Sequence, residues 1–188
     1  MAAIYSTSTQ EGIDINSVYM LDPGFPEYPG PPFVPGNLAW GTDGSEFVYC
    51  TSSVTISAGS LVLISSVMSS WSVAPTGGTV ATAPTGQLMG VVGGALGTVF
   101  VPAPSGTQRG SYFWVQRAGN APNVRSGATA TKNAALFTSA TLPGAVSSTG
   151  GGAGTTYGVT GLVISNNNGS TAGPNTAVLN YPVAGAGG

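Results

Sequence analysis

Residues 47–68, FVYCTSSVTISAGSLVLISSVM, decide the fold. Two runs of β-branched, aromatic and aliphatic side chains flank a Ser-Ala-Gly-Ser turn signal, and neither shows the 3.6-residue spacing of a helix. The same kind of run recurs as SWSVAP, GQLMGVV, GTVFVPA, SYFWVQRAG, AALFTS, VTGLVISN and TAVLNYPV, separated by turn residues. Strong helix formers other than Ala and Leu are scarce, since the chain holds three Glu and one Lys. An all-β fold is expected, an antiparallel β-barrel or sandwich, with at most a turn or two of helix near residues 132–137.

A chain of 188 residues makes one domain, or one domain plus an arm. Its 30 glycines and 14 prolines mark it as rich in turns. Three segments follow: an extended N-terminal arm at 1–45, a β-barrel or sandwich domain at 46–183, and a tail at 184–188 with nothing to pack against. Met89-Gly90-Val91-Val92 and Thr160-Gly161-Leu162-Val163 share a pattern, read as two barrel strands bent at a glycine rather than as an internal repeat.

The arm is densest at 21–36, LDPGFPEYPGPPFVPG, where six prolines remove the donors that helices and central strands need. At polyproline pitch Pro23 to Pro35 would span on the order of 40 Å. Phe25, Tyr28 and Phe33 are costly to leave in water, so they are expected to anchor the arm on another surface. The competing reading is a strap packed on its own domain.

Charge is the outlier: 5% of residues are charged, against about 25% in ordinary soluble domains. All six acids lie between Glu11 and Glu46, and all four bases (Arg109, Arg117, Arg125 and Lys132) lie between 109 and 132. Such sorting suits an acidic segment crossing a basic face, on its own subunit or a neighbour, and the four bases are expected to face acidic partner groups. A surface this poor in charge implies burial against other subunits. The net charge of −2 supplies no field for phosphate backbones, so nucleic acid is not an expected partner.

The residue inventory also removes most chemistry. Without His there is no Ser-His-Asp or Cys-His system, and one cysteine, Cys50, closes no intrachain disulfide and builds no zinc site. Lys132 lacks an S-x-x-K context, the glycine tracts match no phosphate-binding motif, and Asp43 and Glu46 flank a Gly-Ser turn. No catalytic residue, metal site or cofactor is expected. The apolar stretch 88–103 is too short and too interrupted by Gly and Pro to cross a membrane as a helix. The uncharged start, AAIYSTSTQ after Met1, lacks a basic patch and an apolar run, so synthesis in a reducing cytosol is expected.

Residues 110–119, GSYFWVQRAG, resemble a G-x-y-x-W-V-Q-x-x-G strand of bacteriophage capsid decoration (cement) proteins and related head-fibre proteins. The preceding LMGVVGGALGTVFVP and the following NVRSGATATKNAALFTSA are similar to the same β-barrel module, so the resemblance covers roughly residues 47–182. It implies a virion structural protein on the capsid surface, made in the host cytoplasm. Its partners would be the major capsid protein and further copies of itself, most simply in a homotrimer. A receptor-binding head-fibre or tail-spike module that stacks host glycans on Trp40, Trp71, Trp114 and the seven tyrosines is the alternative.

Overall fold

The computed structural model describes residues 4–6, 14, 19–20, 31–52, 55–65, 72–75, 87–94, 99–100, 111–139, 142–149, 156–167 and 172–187. The fold is all-β, and no helix occurs among the described residues. In chain order the strands are β1 (Ile4–Ser6), β2 (Tyr19–Met20), β3 (Leu38–Gly41), β4 (Glu46–Ser52), β5 (Ile56–Ser57), β6 (Leu61–Ser65) and β7 (Ser72–Pro75). There follow β8 (Met89–Val92), β9 (Val99–Phe100), β10 (Ser111–Ser126), β11 (Leu136–Thr138), β12 (Val146–Ser147), β13 (Tyr157–Ile164) and β14 (Gly173–Gly187).

Their pairings close two circuits. In the first, β4 pairs with β7 in parallel, and β7–β6, β6–β8, β8–β10 and β10–β4 complete the ring antiparallel. In the second, β10 pairs with β12 in parallel, and β12–β11, β11–β13, β13–β14 and β14–β10 complete the ring antiparallel. Counted along the chain, each barrel visits its strands in the same spatial order: first, third, second, fourth, fifth, and back to the first. The long strand β10 belongs to both, its first half as the last strand of barrel one and its second half as the first strand of barrel two. Closure removes the open sheet edges that such apolar strands would otherwise present.

The repeat extends to register. Leu61 faces Val91 and Val62 faces Gly90 in barrel one, as Leu136 faces Val159 and Phe137 faces Gly158 in barrel two. Gly90 therefore matches Gly158, three residues before the glycine that the sequence pattern suggested. Gly90 sits in an unbent strand, where a Cβ would lie 2.8 Å from the Gln116 carbonyl oxygen. Gly161 does bend its strand: it has φ +78° at a shift of register between Thr160 and Leu162.

Alternation builds a separate core cluster for each barrel. Val48, Cys50, Val62, Ile64, Val92, Phe113 and Val115 fill barrel one. Val124, Leu136, Val146, Val159, Leu162, Ile164, Ala177 and Leu179 fill barrel two. Leu61, Leu63, Met89 and Val91 alternate with the interior residues of β6 and β8, and they pack into the core of barrel two. Each fully buried aliphatic side chain contributes about 1.5–3 kcal/mol.

Strand pairing decides two local points. Residues 132–134 form a turn, with Asn133 at φ +58°, and the chain enters β11 instead of a helix because Leu136 pairs with Val159 and is buried. The sheet does not end at 183: β14 continues to Gly187, which pairs with Tyr157, and Ala184 is buried. At the other end, parts of the segment read as an arm are sheet, since β1 pairs with β3 and β3 pairs with β4. Of the proline-dense stretch 21–36, residues 21–30 lie outside the described residues.

Candidate interaction surfaces

On the outer face of barrel one, Phe47 and Tyr49 of β4 stand beside Tyr112 and Trp114 of β10. Residues 33–39 of the same chain cover them. The Phe33 ring meets Trp114 edge-on at 5.2 Å and Tyr49 at 5.4 Å, while Tyr49 lies 4.9 Å from Trp114. The backbone fixes this cover: Gly36 N–H donates to the Tyr49 carbonyl at 2.8 Å, and Tyr49 N–H to the Asn37 carbonyl at 2.9 Å. Burial pushes the Tyr49 phenol up, and neighbouring Tyr112 and Tyr19 add to the effect. Phe33 thus anchors on its own barrel, the strap reading. Phe25, Tyr28 and Arg109 lie outside the described residues.

Where the barrels meet, a shift of register between Gln116 and Ala118 turns Arg117 out of the strand alternation. Its Nη1 lies 3.4 Å from Glu46 Oε1, and its guanidinium sits 5.3 Å from the centre of the Tyr181 ring. Tyr181 Oη donates to Glu46 Oε2 at 2.9 Å. That bond and the carboxylate's charge hold the Tyr181 phenol above its usual range. Trp40, 39% exposed, is the register partner of Glu46 on β3. Arg117 therefore meets an acid of its own subunit. Asp43, the other carboxylate of this hairpin, accepts from Ser45 N–H at 3.0 Å and from the Ser45 hydroxyl, bonds that lower its pKa. Cys50 is buried in barrel one, and burial pushes its thiol up, away from the reactive thiolate. Among the described residues no three His, Cys, Asp or Glu gather as a metal site.

The outer face of barrel two is different. Asn120, Val178 and Val163 pair in a row across β10, β14 and β13, with Thr176 and Asn180 exposed on the same side of β14. Val163 and Val178 are each 46% exposed, and these five side chains carry no charge. At one end of this face Arg125 pairs in register with Pro174 beside an open cleft of about 440 Å³. Ser57, Ala58, Asn123, Leu142 and Pro174 line the cleft together with Arg125. Arg125 Nη1 reaches the Pro143 carbonyl at 3.5 Å. Lys132 is exposed, and its backbone N–H donates to Asn167 in the β13–β14 connection. Neither Arg125 nor Lys132 pairs with a carboxylate among the described residues.

No family model, curated protein or solved structure matches the chain. The surfaces therefore speak through their chemistry: an uncharged row centred on two exposed valines, a cleft with Arg125 in its wall and an ion pair within the subunit. All three suit noncovalent recognition. The apolar row escaped sequence reading, although the alternation in VTGLVI and NTAVLN carries its signal once the inner face is known.

Proposed function

We propose that the chain is a bacteriophage capsid decoration protein that binds the outside of the major capsid shell and bridges neighbouring subunits, working as a homo-oligomer, most simply a trimer. The observation that carries this reading is the open, uncharged row Asn120–Val178–Val163 on barrel two. The valines lose little on desolvation and Thr and Asn can hydrogen-bond a partner, so each copy adds a modest contact that a repeating shell multiplies. The GSYFWVQRAG segment, which carries the resemblance to cement proteins, forms most of the β10 stretch belonging to barrel one.

Purified protein mixed with undecorated phage shells should co-sediment with them at a fixed copy number. Val163→Asp with Val178→Asp should abolish this without unfolding the chain. Absence of wild-type binding to shells would overturn the reading. Glycan recognition keeps a second place because Trp40 and Tyr181, 39% and 46% exposed, flank Glu46. Glycan-array binding lost in Trp40→Ala would favour it.

A further inference from the structure

The cleft at Arg125 has a chemistry of its own. Its side chains are mostly uncharged and partly apolar, with Ala58, Leu142 and Pro174 beside Asn123 and Ser57, and Arg125 is the cation among them. The cleft is also held in shape. Arg125 N–H donates to the Gly59 carbonyl at 2.8 Å, Leu61 N–H to the Gly144 carbonyl at 2.8 Å, and Ser126 Oγ to the Gly173 carbonyl at 3.1 Å. Its walls thus come from both barrels. One partly buried guanidinium among apolar walls selects a singly charged, planar acceptor carried on a chain, which is a carboxylate. A phosphate would bring a second charge that finds no second cation among the described lining residues.

Resting on the reading of the chain as an assembly protein, we infer that this cleft receives a carboxylate from the acidic N-terminal segment of a second copy. Charge complementarity points to that source. All acids of the chain lie in 11–46, and two of them, Asp43 and Glu46, are engaged by Ser45 and by Arg117 with Tyr181. Glu11, Asp22 and Glu27 carry charge of the required sign in the N-terminal segment. The cleft also lies at the end of the uncharged face, so both belong to one continuous surface.

The test is the mass of the full-length protein in solution against concentration, by light scattering and sedimentation, at low and high salt. Wild type should self-associate, less so at high salt. Arg125→Glu and Arg125→Gln should each weaken association about tenfold or more, with circular dichroism unchanged. Combining Arg125→Glu with Glu11→Lys, Asp22→Lys and Glu27→Lys should restore it. Association indifferent to Arg125, no rescue by the swapped charges, or a wild type that stays monomeric would each overturn the inference. Shell co-sedimentation of the same variants separates the two readings: shell binding without Arg125-dependent association leaves decoration standing and removes only this step.

Discussion

Barrel one and barrel two follow the same strand order, yet they finish their outer faces in opposite ways. Barrel one places Tyr49, Tyr112 and Trp114 outside and covers them with Phe33 of its own chain. Barrel two places Asn120 and Val178 on the matching strands, with Val163 on the strand beside them, and leaves all three open. Aromatic rings carry too much apolar area to stand in water, so their cover has to be built in. Val tolerates partial exposure, and Asn and Thr can exchange water for hydrogen bonds to a partner, so this face needs no cover from its own chain. One strand path thus supports a permanent seal and an open contact surface, and the side chains alone decide which.

The largest effect should come from breaking the seal. Trp114 is buried between Tyr49 and Phe33, and Trp114→Ala should cost about 3–5 kcal/mol in urea unfolding followed by circular dichroism. A loss below about 1 kcal/mol would mean that residues 33–39 do not seal this face.

Alkali should act on barrel one next. Cys50 and Tyr49 both have pKa values raised by burial, so their contribution is complete below the unfolded thiol value of about 8.5 and is lost as pH rises toward the folded values. Cys50 subtracts about 1.4 kcal/mol per pH unit once the unfolded thiol ionises, giving about 2 kcal/mol by pH 10, and Tyr49 adds to the loss only above about pH 10. Cys50→Ala should flatten the pH 8.5–10 part of the stability profile, at a fixed cost from its cavity.

The junction should respond less. Glu46→Gln leaves the Arg117 guanidinium, 15% exposed, without its counter-charge, and should cost about 1–3 kcal/mol, between the values for surface and buried pairs. A double-mutant cycle with Arg117→Met measures the coupling, and a value near zero would mean that the two barrels do not depend on this ion pair.

The all-β class was legible because β-branched and aromatic runs recur between turn signals. The doubling of the barrel was not. The strand-like run SYFWVQRAG ends at Gly119, and the following Asn-Ala-Pro reads as a turn, yet β10 continues to Ser126. Pro122 is exposed within the register shift between Ala121 and Val124, a place where a missing N–H is tolerated. The sorting of acids and bases anticipated a contact between them, and Glu46–Arg117 is one. That it forms within a subunit depends on the pairing of β4 with β10, a long-range choice no local pattern carries. Phe33 was legible as an anchor but not by its target, since the aromatic face it covers exists only after β4 and β10 pair.

The smallest change in stability should fall on the open face, and there the comparison is sharpest. Val163 and Val178 are each about half exposed and pair directly across β13–β14, so replacing both with Ser removes a small apolar contact and leaves the ladder intact. The change in unfolding free energy should stay within about 0.5 kcal/mol per site, as for surface positions generally. Binding should not follow that scale. A docked face excludes water from both valines at once, and two hydroxyls buried there without partners would each cost about 1–3 kcal/mol. Val163→Ser with Val178→Ser should therefore keep the melting temperature and lose most shell occupancy in co-sedimentation. If occupancy instead tracked stability, the open face would be ordinary surface, and the contrast between the two barrels would reflect only how much aromatic area each one has to hide.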